Sequence, residues 1–189
     1  MVAAVCATLA ALLAITIHGG GHLLTARLLG IRFRRICRTA TGFRLMTGDE
    51  GFPSYFCEFF VTLGGPLSNI VSAMLARTVL PHTPAGSLLL AVWEVFIPLS
   101  FYLALLNLLP LRGFDGGGLL VCLLCARHRP LPSLLPDTAE RVLSVCSALT
   151  LFLLWLLSVY LLLCCGSALS LYVFCAQLFR TTLPRQDAA

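Results

Sequence analysis

His18 and His22 lie in the stretch Ile15-Thr16-Ile17-His18-Gly19-Gly20-Gly21-His22-Leu23-Leu24. On a helix, residues four apart project from one face, one turn above the other. Two imidazoles so placed form a clamp for a metal ion, and the spacing matches the zinc-binding H-E-x-x-H signature, whose second residue is the general base acting on water. Here that position is Gly19. The stretch offers two metal ligands with the usual proton acceptor missing. Imidazoles in an apolar membrane helix are costly unless they meet a metal, each other or a polar cavity, so a functional reading is the default. The three glycines between them also permit close helix packing, at about 1 kcal/mol of helix propensity each.

The chain that must position these residues is 59% hydrophobic and only 11% charged, with a mean hydropathy of +0.94. That composition excludes an ordinary water-soluble domain and reads as an all-α polytopic membrane protein. A net charge of +5 without a polar domain to carry a basic groove argues against nucleic acid as a partner. Most of the nine cysteines fall in apolar segments and read as reduced packing residues.

Apolar runs at Val2 to about Leu29, Ser54 to Leu80 and Ser87 to Leu109 are each long enough to cross a bilayer. The first lacks an amino-terminal charge and reads as an uncleaved span. A fourth run, Val142 to Phe179, exceeds one span and divides near Cys165 and Gly166 into a hairpin whose second helix covers 166–180. About five transmembrane helices result, in a single integral membrane domain of residues 1–189 with a core at about 2–126 and a carboxy-terminal helical hairpin at about 138–180. Between the first two spans, Ile31 to Asp49 mixes five arginines with β-prone residues and Thr-Gly breaks, which predicts a small β element at the membrane surface. Asn107 to Gly118 carries a proline and four glycines and reads as a break that presents Asp115, with apolar sequence resuming at Leu119.

Arginine placement supports the layout independently. Twelve of the thirteen arginines fall in the loops after spans one and three or in the tail, and only Arg77 falls on the other side. The positive-inside rule then sets the amino terminus outside and the carboxy terminus in the cytoplasm. The same orientation turns His22, Asp115 and the arginine-rich segment toward the cytoplasmic half of the membrane.

Other candidates weigh less. Glu58 lies roughly 16 Å of helix rise from Asn69, and Glu94 roughly 20 Å before Asn107, so neither is well placed to replace a glutamate at position 19. Cys122-x-x-Cys125 with His128 resembles half a zinc site but lacks a second pair and reads as packing. His82 reads as loop surface. A transporter or channel lacks support, because neither an inverted repeat nor a series of intramembrane charges is visible.

His18-x-x-x-His22, then Gly65-Pro66-Leu67-Ser68-Asn69, then Asn107-Leu108-Leu109-Pro110 leading to Phe114-Asp115-Gly116 occur in one order. In that combination the chain resembles the site-2 proteases, intramembrane zinc metalloproteases that include the bacterial sporulation-factor processing enzymes. The resemblance covers residues 10–125 and implies a minimal member without PDZ or CBS modules, in a bacterial cytoplasmic membrane. It implies a three-helix core in which His18, His22 and Asp115 bind Zn2+ and Asn69 supports the site. It also implies strand addition of a membrane-tethered protein substrate to the β element. Position 19 is where these enzymes carry the catalytic glutamate. Its replacement by glycine admits two functions: a protease of impaired activity, or a pseudoprotease that binds transmembrane substrates or regulates an active membrane partner.

Overall fold

The computed structural model describes residues 2–31, 33–39, 42–47, 52–126 and 137–165. Helix α1 runs from Val2 to Leu28, built from alanine and leucine without proline, and it continues unbroken through the three glycines. It closes at Gly30, whose φ is 72°, with Gly30 N–H bonded to the Arg27 carbonyl and Ile31 N–H to that of Ala26. This paired closure satisfies carbonyls that the last helical turn leaves open. Strands β1 (Phe33–Thr39) and β2 (Gly42–Thr47) follow as an antiparallel pair, with Thr39 opposite Gly42, Cys37 opposite Arg44 and an irregularity between Phe33 and Arg35.

Helix α2 spans Tyr55–Val79, its first turn capped by the Ser54 hydroxyl, which accepts the Cys57 N–H at 3.3 Å. Pro66 lies inside the helix and is buried; without an N–H it cannot bond the Thr62 carbonyl one turn back. A short 3-10 turn at Leu80–His82 leads to α3 (Leu88–Asn107), capped by Ser87. Helix α4 is Asp115–Leu124 and α5 is Asp137–Cys165.

Among the described residues four helices, α1, α2 with its 3-10 turn, α3 and α5, are long and apolar enough to cross a membrane, while α4 is too short. Their outer faces carry exposed Leu, Val, Ile and Phe side chains along most of their length. Such a surface suits lipid. The first three expected spans therefore coincide with α1, α2 and α3. The fourth begins with α5, whereas the fifth, at 166–180, falls outside the described residues, as do the loop at 127–136 and the tail.

Helices α1, α2 and α3 pack on one another, α4 packs on α2, and α5 packs on α4. One correction concerns Asp115. Instead of lying on an irregular break, it is the first residue of α4, which begins four residues before Leu119. The glycines that read as breakers permit this. A Cβ on Gly116 would strike the carbonyls of Leu108 and Leu109, and one on Gly117 the carbonyl of Leu111. Without side chains, the first turn of α4 can press against the loop that precedes it.

Candidate metal centre

The site forms where α1 crosses α2. A Cβ on Gly21 would strike the Gly64 carbonyl and the Ser68 side chain, and one on Gly64 would strike Thr25. With hydrogens there instead, the backbones come close enough for the Ser68 hydroxyl, which also bonds the Gly65 carbonyl of its own helix at 2.7 Å, to reach the Ile17 carbonyl of α1 at 2.9 Å. Small residues at such crossings are how helices associate where lipid removes the hydrophobic drive.

Gly65 is the floor beneath the two imidazoles. A Cβ there would occupy the positions of His22 Nε2 and Cε1 and crowd His18 Cε1. The rings meet edge to face with centroids 4.8 Å apart. His18 Nε2 and His22 Nε2 are 3.2 Å from each other, and Asp115 Oδ2 lies 3.1 Å from the first and 3.5 Å from the second. All three side chains are largely buried.

Those distances decide what the triangle can hold. Three ligand atoms at about 2.0–2.1 Å from a tetrahedral centre lie about 3.3 Å from one another. The observed edges fall on either side of that value. The His22 Nδ1 proton is committed elsewhere, because Nδ1 donates to the Val61 carbonyl at 2.7 Å. A neutral His22 therefore turns an unprotonated Nε2, with its lone pair, into the triangle. Anchoring the second ring nitrogen in this way fixes both the tautomer and the orientation of a metal-binding histidine. Asp115 contributes the negative charge from the amino-terminal end of α4, where the helix dipole favours a carboxylate. Among the described residues this is the one group of His, Cys, Asp and Glu side chains able to share an ion, and its donor set suits zinc.

Position 19 faces open space. A Cβ there meets nothing within 4 Å, so a side chain at this position would not clash at its first atom. Asn69 lies one turn beyond Gly65 on α2, about 6 Å of helix rise away. It is completely buried, and neither amide atom has a hydrogen-bond partner among the described residues.

The structure brings His18, His22 and Asp115 together and leaves the other candidates apart. Glu94 is exposed on α3. Glu58, in the first turn of α2, sits against Cys122. Cys122 and Cys125 are buried with Tyr55 and Ala139 as free thiols, the packing role expected of them, while His128 lies outside the described residues. His82 is exposed on the 3-10 turn. Two parts of the site were not assigned to it from sequence. Gly65 stood out only as the first residue of the Gly65-Pro66-Leu67-Ser68-Asn69 motif, and the Val61 carbonyl carries no side-chain signal at all. A scan against family models and a comparison with curated proteins gave no match to this chain.

Proposed function

We propose that the chain is a membrane-embedded zinc protein of the site-2 protease kind, with a hydrolytic centre directed at membrane-tethered protein substrates and held at low activity by Gly19. The observation that carries this reading is the triangle of His18 Nε2, His22 Nε2 and Asp115 Oδ2, with edges of 3.1–3.5 Å. Zinc held there supplies Lewis acidity toward a carbonyl oxygen and toward water. The chain's own part is to hold that ion through three residues and leave a fourth position open. The buried amide of Asn69, one turn from Gly65 and without a partner among the described residues, occupies the place of the family's supporting asparagine. The β1–β2 hairpin offers strand edges at the carboxy-terminal end of α1, where an extended substrate can pair.

Peptide hydrolysis also needs a group that takes a proton from water and returns it to the leaving amine. Glycine cannot do either. Because general acid–base catalysis contributes about 10² to 10⁴ in rate, the chain as it stands is slow or silent. The open Gly19 position thus favours a second reading, a pseudoprotease that binds transmembrane segments or regulates an active partner without cutting. Orientation follows the arginine asymmetry, with the carboxy terminus in the cytoplasm.

Restoring the carboxylate tests both readings. Gly19→Glu is expected to raise cleavage of a co-expressed, membrane-tethered substrate panel by about 10² to 10⁴, whereas Gly19→Gln, similar in size but unable to accept the proton, is not. Metal analysis of the purified proteins should find about one zinc per chain, lost in His18→Ala, His22→Ala and Asp115→Ala. A metal-free starting protein after zinc loading would overturn the centre. Equal cleavage by the Gly19 protein and the glutamate variant would show that another group supplies the base.

A further inference from the structure

Asp115 is the ligand that comes from a different part of the chain, and the loop before it, Leu108 to Phe114, is gripped from the side by α5. Ser147, buried on α5, accepts the Arg112 N–H at 3.2 Å and donates to the Pro110 carbonyl at 3.2 Å. One hydroxyl therefore serves both backbone groups flanking Leu111, which is itself completely buried. One turn earlier on α5, Ser144 Oγ accepts from the Arg112 guanidinium at 2.6 Å, and Glu140 accepts from the same group at 3.1 Å. Between them Leu143 reaches the carbonyl side of the loop, where its Cδ1 lies 3.3 Å from the place a Gly117 Cβ would take. Residues 140, 143, 144 and 147 fall at i, i+3, i+4 and i+7, so one face of α5 makes the whole grip.

The grip is transmitted to Asp115 over a short, tied path. Phe114 N–H bonds the Leu111 carbonyl at 3.2 Å, Gly118 N–H bonds the Phe114 carbonyl at 3.2 Å, and Asp115 stands between them as the first residue of α4. Gly116 and Gly117 seat that turn directly on the carbonyls of Leu108, Leu109 and Leu111. The path from Leu111 to the carboxylate is thus three residues long and hydrogen-bonded at both ends.

We infer that Ser147 is a positioning residue for the metal centre: its hydroxyl, helped by the Glu140–Arg112–Ser144 contacts, fixes the 108–114 loop so that Asp115 closes the triangle with His18 and His22. This inference rests on the proposed metal centre. It assigns to α5 a role in that centre although α5 contributes no ligand. Removing the hydroxyl leaves the part-buried Arg112 N–H and Pro110 carbonyl without their shared partner, and the loop is expected to move to recover hydrogen bonds for them.

The experiment is Co2+ binding to the purified full chain in detergent, read both as affinity and as the d–d absorption that reports coordination geometry. Ser147→Ala should bind about 10- to 100-fold more weakly, the range for groups that support a ligand, with altered bands. Ser147→Thr, which keeps the hydroxyl, should retain both affinity and spectrum. The double variant Glu140→Gln with Ser144→Ala frees only the guanidinium and should weaken binding severalfold, and it carries the same test if Ser147→Ala does not accumulate. Starting-protein affinity and spectrum in Ser147→Ala, or in the double variant standing in for it, would overturn the positioning role alone. Absence of Co2+ binding by the starting protein would overturn the metal centre and this role with it.

Discussion

The two ends of the α1–α2–α3 bundle are built from the same three helices and use small residues for opposite purposes. Toward the start of α1, Ala10, Ala14, Ala76 and Phe96 form a buried apolar cluster, with Leu13, Ile17, Val92 and Leu103 around it. There the alanines make room for an aromatic ring. Toward the other end of α1, Gly21, Gly64 and Gly65 are buried at a crossing that carries hydroxyl–carbonyl bonds and two imidazoles. There the glycines make room for polar groups. In lipid, apolar packing gives stability at either end alike, whereas buried polar groups demand defined partners. The first end is thus tolerant in kind and sensitive to volume, and the second is sensitive to single atoms.

A single methyl group at Gly65 should break the comparison most sharply. Gly65→Ala places a carbon where His22 Nε2 and Cε1 now lie. Metal affinity is expected to fall about 100-fold, the upper end for changes next to a ligand shell, with little change in helix content by circular dichroism. An affinity equal to that of the starting protein would mean that Gly65 is not the floor of the centre.

At the opposite end, Phe96→Ala should reverse the pattern. Loss of a fully buried ring leaves a cavity, and the cost is expected to be about 2 kcal/mol, below the range for water-soluble cores because lipid is itself apolar. The readout is a lowered midpoint of unfolding in detergent with metal affinity unchanged. Impaired metal binding in this variant would show that the two ends are coupled rather than separable.

The smallest effect sharpens the contrast within one helix. A Cβ on Gly20 meets nothing within 4 Å, unlike one on Gly21. Gly20→Ala should therefore stabilise the protein by up to about 1 kcal/mol through helix propensity, leaving metal binding as it was. Thermal unfolding of matched preparations checks it. A destabilised Gly20→Ala protein would mean that the open side of α1 is occupied in the membrane.

What could be read from the chain itself was what neighbouring residues decide. The apolar spans of α1, α2 and α3 follow from length and hydropathy, and the shared face of His18 and His22 follows from helical period. The absence of a carboxylate at position 19 is likewise plain in the sequence. That Cys122 and Cys125 serve packing was legible from their apolar surroundings.

Tertiary structure decided everything that depends on distance between segments. Only the fold brings Asp115 Oδ2 within 3.1 Å of His18 Nε2 and puts the Val61 carbonyl at His22 Nδ1. The glycines at 116 to 118 read locally as a break, because glycine weakens helices by about 1 kcal/mol each. In the structure they lie in the first turns of α4, and at Gly116 and Gly117 the carbonyls of Leu108, Leu109 and Leu111 occupy the space that side chains would need. Ser147 gives the clearest case. In the sequence it is one serine in an apolar run, and its meaning comes from the two backbone groups that α5 brings to it, Pro110 C=O and Arg112 N–H. Backbone partners carry no residue code, so no local pattern announces them.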